Sequence, residues 1–240
     1  MEKMKEILFV TENKLVEEVI PMPKPAKFYL PDWYKNTTKF FNGNKLEFDE
    51  SFNPLLTVKA CMPLFDILSM GYIQETWCDI HISRINGALS YSYKYPEVEI
   101  MGDRDIRGLG KFNIPEGYDN VFFHWNRVWN PILPKGYSAI ITHPFYSDDL
   151  PFKSFSAVVD YDNYNLSGKV GFVIKEGFEG VIPAGTPMYQ IIPFKRDNWI
   201  SKKHVLTEKE KIKLKTQRFN VSKLFSNAYK KIYWNRKEFN

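Results

Sequence analysis

The stretch Trp77-Cys78-Asp79-Ile80-His81-Ile82-Ser83-Arg84-Ile85-Asn86-Gly87-Ala88-Leu89-Ser90-Tyr91-Ser92-Tyr93 decides the fold class. Cys78, Ile80 and Ile82 alternate with polar residues, and Leu89, Tyr91 and Tyr93 alternate again downstream. Successive side chains of a strand point to opposite faces, so period two marks a half-buried strand. Asn86-Gly87 lies between the two runs, and Asn-Gly is the strongest two-residue hairpin signal. The spacing predicts an antiparallel hairpin over residues 77–93.

Working outward, the same pattern predicts strands at Val121–Trp125, Tyr137–Thr142, Ser156–Asp160 and Val170–Ile174. A closing pair follows, Phe178–Pro183 and Pro187–Phe194, separated by Ala184-Gly185-Thr186. Upstream, Thr57–Cys61 reads as a strand and Pro63–Met70 as a short apolar turn or helix ended by Gly71. Met101–Gly110 reads as a glycine- and charge-rich loop. Turn signals every 8–12 residues or so indicate a β-sandwich or barrel rather than alternating βαβ units. Residues 57–198 are therefore expected to form an all-β body. The 39 aromatic residues, with 15 Pro and 13 Gly spread along 240 positions, agree with a turn-rich β protein.

Residues 1–56 read as an extended, proline-rich arm. Leu8–Val10 suits a short strand and Leu15–Ile20 a strand or helical turn, after which Pro21, Pro23, Pro25 and Pro31 forbid sustained helix. Phe28, Tyr29, Trp33 and Tyr34 are too apolar for open solvent and are candidate assembly residues, laid across this chain's surface or a neighbour's. Residues 199–240 change period. Thr207-Glu208-Lys209-Glu210 is a capping box, and Val221, Leu224, Phe225, Ala228 and Ile232 recur at helical spacing as a second set of assembly candidates. One helix, or a pair split near Phe219-Asn220, fits this tail. It holds twelve Lys and Arg against three Glu, a net +9, whereas the rest of the chain sums to −4. Such a tail suits nucleic acid or the acidic body of another copy.

Several classes are disfavoured. The charged N-terminus lacks the apolar run of a secretion signal, and no run of 18 apolar residues suggests a membrane span. Two cysteines, Cys61 and Cys78, make no disulfide framework. Asp79 and His81 share a strand face at i, i+2, and His124 or His143 would be needed to complete a metal site. No ligand motif supports one, so neither metal nor cofactor is expected. Gly108-Leu109-Gly110 has no Lys-Ser/Thr behind it and reads as a turn.

One region carries family character. Gly136–Ile141, then Ser156-Ala157-Val158-Val159-Asp160-Tyr161-Asp162-Asn163-Tyr164, then Gly180-Val181-Ile182-Pro183-Ala184-Gly185-Thr186-Pro187-Met188-Tyr189-Gln190-Ile191-Ile192 follow one another in order. This order over residues 137–194 resembles the dUTPase and dCTP-deaminase superfamily in degenerate form. The resemblance implies a small dUTPase-like or β-clip-like body, usually trimeric, with nucleotides bound between subunits. It makes Asp160 the carboxylate that orients water and Tyr164 the ring under the sugar, with Asp162 and Gln190 as further ligand-binding candidates. The chain departs from the family where Thr142-His143-Pro144-Phe145-Tyr146-Ser147 replaces an Arg-Ser-Ser phosphate turn. It also carries a basic helix in place of a glycine-rich closing arm.

The whole chain also resembles a group of uncharacterised tailed-bacteriophage proteins through Lys59-Ala60-Cys61-Met62-Pro63, His143-Pro144 with Leu150-Pro151-Phe152, and Gln190–Arg196 with Trp199. The function expected first is a non-enzymatic virion structural protein of capsid, neck or tail, made in the host cytoplasm. It would act as a homo-oligomer or with other virion proteins. The alternatives are a dUTPase-like nucleotide-binding or nucleotide-hydrolysing enzyme with Asp160 as the catalytic residue, and a host-directed inhibitor that binds protein or nucleic acid.

Overall fold

The computed structural model describes residues 5–44, 47–50, 52, 54–94, 97–164, 168–223 and 228–240. Strand outweighs helix, 31% against 23%, so the molecule is mainly β. The elements run β1 (Leu8–Val10), α1 (Lys14–Val19), β2 (Lys24–Pro25), α2 (Asp32–Asn36), α3 (Met62–Ser69), β3 (Tyr72–Glu75), β4 (Ile80–Ile85) and β5 (Ala88–Tyr93). They continue with β6 (Met101–Arg104), β7 (Phe122–Asn126), β8 (Asn130–Ile132), β9 (Tyr137–Thr142), β10 (Phe152–Ser154), β11 (Ala157–Val159), β12 (Lys169–Ile174), β13 (Gly180–Ile182), β14 (Pro187–Lys195), α4 (Glu208–Lys223) and α5 (Ala228–Ile232). The chain forms two compact units. One takes the residues up to Tyr29, Gly71–Arg196 and Phe239–Asn240; the other takes Leu30–Met70 and Asp197–Glu238.

In the first unit the expected hairpin is present, β4 running against β5 from Ile80↔Tyr93 to Ile85↔Ala88. Asn86 and Gly87 have φ of 51° and 81°, the left-handed pair that a two-residue turn matched to strand twist requires. Among the described residues the sheets have orders β11-β9-β14-β3-β2, β10-β12-β7-β6, β13-β4-β5 and β1-β8. None closes, so the barrel option gives way to open antiparallel sheets. Ile80, Trp125, Ile141, Phe172, Ile182 and Ile191, from three of these sheets, share one core. At its centre Trp125 stacks on Phe172 with ring centroids 3.7 Å apart. Its indole N–H donates to Ser154 Oγ at 3.0 Å, and that hydroxyl donates to the Met188 carbonyl at 2.7 Å.

Both strands of the closing pair are present, and the structure corrects only their pairing. β13 pairs with β4 and β14 pairs with β3 and β9, so the two are not hairpin partners. The reason is the corner between them. Thr76 binds the Gly185 N–H (2.7 Å) and the Thr186 carbonyl (2.8 Å) through its backbone, and its hydroxyl donates to the Pro183 carbonyl (2.7 Å). Asp79 accepts the Ala184 N–H at 2.8 Å. The turn is thereby tied to the β3–β4 connection and steps from one sheet to the other. Gly71, at φ +73°, lies so close to β14 that a Cβ there would collide with the Ile191 carbonyl.

The proline-rich segment is extended only in part. β1 pairs with β8 and β2 with β3. Between them α1 is capped by Asn13, whose side chain accepts the Leu15 N–H at 2.9 Å. Val16 and Ile20 bury against Val98 and Trp129. Two further expectations change. Met101–Arg104 is a strand, held by pairing with β7, and not a loop. Thr57–Cys61 is no strand, because Thr57 Oγ1 accepts the Lys59 N–H and turns Val58–Ala60 into a 3-10 helix.

In the second unit Tyr34 stacks on Phe65 of α3. Asp66 of α3 accepts the Trp234 indole N–H at 3.0 Å and the Lys237 ammonium at 2.6 Å. The capping box of α4 forms as expected: the Thr207 N–H donates to Glu210 Oε2 at 2.7 Å, and the Glu210 N–H returns to Thr207 Oγ1 at 3.4 Å. α4 runs unbroken through Phe219-Asn220, and α5 is a separate helix after it. Among the described residues no helix is long and apolar enough to cross a membrane.

Ser154, itself buried, joins an indole to a carbonyl inside the core. Ser154→Ala is expected to cost about 1–3 kcal/mol by orphaning both groups, and Trp125→Ala about 3–5 kcal/mol. Urea unfolding followed by circular dichroism measures both.

Candidate functional site

The carboxylates singled out in the sequence meet at the end of β14. The β9–β14 register sets Phe194 opposite Ser138 and Lys195 opposite Tyr137, so Arg196 follows beside the start of β9. The turn after β11 brings Asp160 and Asp162 to the same place. Ser138 Oγ donates to Asp160 at 2.6 Å, and Arg196 Nη1 lies 3.1 Å from that carboxylate. Arg196 takes Asp162 with both guanidinium ends, Nη1 at 2.8 Å and Nη2 on the second oxygen. The Gly136 N–H donates to Asp162 at 2.7 Å, and the Arg196 N–H donates to the Gly136 carbonyl at 2.9 Å. Lys135 adds a bond to Asn163 at 2.9 Å.

These contacts govern what the carboxylates can do. The Ser138 hydroxyl, then Arg196, hold the Asp160 carboxyl below the usual range. Arg196 does the same for Asp162. A general base works best with a pKa near the operating pH, and both acids are drawn away from it. Asp162, 1% exposed, serves to fasten the 160–164 turn, whereas the Asp160 side chain keeps 56% of its surface in solvent. No sequence pattern signals the role of Arg196, because nothing local joins it to acids 34 and 36 residues upstream.

Of the other two ligand-binding candidates, Tyr164 shares the 160–164 turn and Gln190 lies apart from it. The Tyr164 N–H donates to the Asp160 carbonyl, but its ring is exposed. Gln190 is opposite Thr142, four residues along β9 from Ser138, roughly 13 Å away. It is buried, and its Oε1 accepts the Phe145 N–H at 3.4 Å. That places it under the Thr142–Ser147 turn. The same turn is held by His143, whose Nδ1 accepts the Ser154 N–H (3.3 Å) while Nε2 faces the Ser147 carbonyl (3.2 Å). Those partners require the neutral ring protonated at Nε2. Burial, the largest cause, pushes its pKa down to about 4.

Among the described residues no group of three His, Cys, Asp or Glu is arranged to hold a metal ion. His81 is exposed, Asp79 caps the Ala184 turn, and His124 is buried with its Nδ1 unsatisfied. A cleft of about 680 Å³ opens beside α1, its lining including Glu12, Glu97, Glu99, Arg127 and Lys169. Arg127, unanticipated in the sequence, is nearly buried there. Its Nε donates to Asn130 at 3.0 Å and its guanidinium binds the Tyr161 hydroxyl. Burial raises the Tyr161 pKa to about 12. The cleft mixes both signs of charge around a rigid arginine, with no nucleophile–base pair among the residues named.

The assembly candidates also divide. Phe28 and Trp33 are exposed, as are Val221 and Ile232. Tyr34 is buried in its own unit, and the Tyr29 hydroxyl donates to Glu75, with burial the main cause of its raised pKa. Leu224, Phe225 and the Ala228 side chain lie outside the described residues. Comparison of the chain with protein-family models and with curated proteins found no match in either.

His143 makes stability depend on pH. The unfolded chain protonates it near the ordinary 6.5, the folded protein only near 4. Stability is therefore fully present above about pH 6.5 and falls as pH drops toward 4, by about 3 kcal/mol for this group. Urea midpoints measured across that window should fall less steeply in His143→Gln than in the parent. For the carboxylate cluster, Asp162→Asn is expected to lower the urea midpoint more than Asp160→Asn, because only Asp162 is enclosed.

Proposed function

We propose that this chain is a non-enzymatic bacteriophage virion protein that works by protein–protein assembly. The observation that carries the reading is the connection from Arg196 to α4. Over residues 197–206 the backbone has neither helix nor strand, yet Trp199, Ile200 and Val205 are 89%, 84% and 77% exposed. Large apolar groups at that exposure within one short connection mark a contact surface. Phe28, Trp33 and Phe52 add exposed rings from the proline-rich segment. The clamped state of Asp160 and Asp162 supports a structural use of the region that resembles a nucleotide site. The bacteriophage setting rests on the resemblance of the chain's sequence blocks, and a homo-oligomer is the assembly proposed first.

Light scattering on the purified protein is expected to show an oligomer, and Trp199→Ser combined with Ile200→Ser to dissociate it while circular dichroism stays unchanged. Antibody or mass-spectrometric detection in purified particles is expected as well. A monomer at the highest attainable concentration that is also missing from particles overturns the reading. So does turnover of dUTP or dCTP that vanishes in Asp160→Asn with the fold intact.

A further inference from the structure

The second unit contains a cavity of about 450 Å³ whose lining includes Lys39, Lys59, Lys230, Lys231, Met62 and Trp234. Four lysines and a tryptophan line one concave surface, and among the described residues no carboxylate lines it. The sequence draws these groups from two distant regions, residues 39–62 and 230–234. The basic tail therefore does more than present a solvated charged helix; it completes a concave site with residues far upstream.

The walls are fixed in place. Asp66 accepts the Trp234 indole N–H with both oxygens at 3.0 Å and also takes Lys237, so the ring orientation is set from α3. Lys59 is anchored by donating to the Tyr34 carbonyl at 2.6 Å, with its ammonium 4.2 Å from the Tyr34 ring centroid. Lys230 stands 5.7 Å from the Trp234 ring centroid. Lys231 is an exposed side chain of α5 beside it.

We propose that this cavity binds a phosphorylated nucleoside, either free or as part of a single strand, with phosphate on Lys59, Lys230 and Lys231 and the base against Trp234. Clustered lysines supply the phosphate term, which is independent of sequence and sensitive to salt. An aromatic wall accepts any base through its π face. The cavity is small enough to hold about one nucleotide, which separates it from a flat basic face suited to duplex. The inference is independent of the assembly reading, since it uses none of the residues 197–206.

The test uses the full chain and a fluorescently labelled oligothymidylate, followed by anisotropy, with dTMP and inorganic phosphate as competitors. Lys230→Glu with Lys231→Glu is expected to weaken binding at least about tenfold and to lower the log–log salt slope by roughly 1.4, two single-strand phosphates' worth. Trp234→Leu is expected to weaken it about tenfold through loss of one stack. Lys213→Glu with Lys215→Glu on α4, matched in charge, should leave most of the affinity. Competition by dTMP that disappears in the cavity variants assigns the site to free nucleotides; binding of the oligomer alone assigns it to strands. The proposal is overturned if the α4 and cavity variants lose affinity equally, if phosphate competes as well as dTMP, or if nothing binds. Because Trp234 also holds Asp66, circular dichroism accompanies each variant, and the Lys230/Lys231 pair decides the outcome where Trp234→Leu fails to fold.

Discussion

β14 is hydrogen-bonded along both edges, to β9 on one side and β3 on the other, and Met188 to Ile192 are buried without a break. A strand so enclosed has to satisfy every inner backbone group through its neighbours, because water cannot. The rest of the first unit depends on that requirement. β3 brings β2, and with it part of the proline-rich segment; β9 brings β11 and the acidic turn that follows. Gly71 marks how tightly the chain has to press on β14 for this to work. Arg196 is one residue past the end of the strand, so the register of β14 also decides which carboxylates the guanidinium can reach.

That dependence explains what could be read in advance. The hairpin at Asn86-Gly87 and the capping box at Thr207–Glu210 were legible because each is a local device, complete within a few residues. Thr57–Cys61 was misread because its strand-like composition conceals a side-chain bond two residues long. The strands of the closing pair were legible but their pairing was not, for the opposite reason: the turn between them obeys Thr76 and Asp79, more than a hundred residues upstream. β14 itself has no period, since a strand buried on both faces has no polar side to alternate with.

The candidate site was legible in half. Asp160 and Asp162 stood out as residues, but their role follows from Arg196, and no spacing rule links an acidic turn to an arginine in another strand's wake. Gln190, a ligand-binding candidate by sequence, lies under the Thr142–Ser147 turn, since its position in the sheet is set by register and not by chemistry. The charge of the basic tail is plain in the sequence. Its partner groups Lys39, Lys59 and Asp66 sit in a segment whose own charge is unremarkable, and only folding assembles them with Trp234.

The order in which the chain visits its two units has a topological consequence. It passes into the second unit at Leu30, leaves at Gly71, re-enters at Asp197 and returns for Phe239 and Asn240, which pack on Tyr72 and Lys27 of the first. The second unit is thus made of two loops, each with both ends tied to the first unit's fold. Closing such loops removes freedom from the unfolded segments, and that entropy cost grows only slowly with loop length. A single cut in residues 197–206 would leave the second unit still joined to the first by three covalent crossings. A break in this exposed connection would then change the chain's mass on a denaturing gel before it changed the composition of the folded molecule.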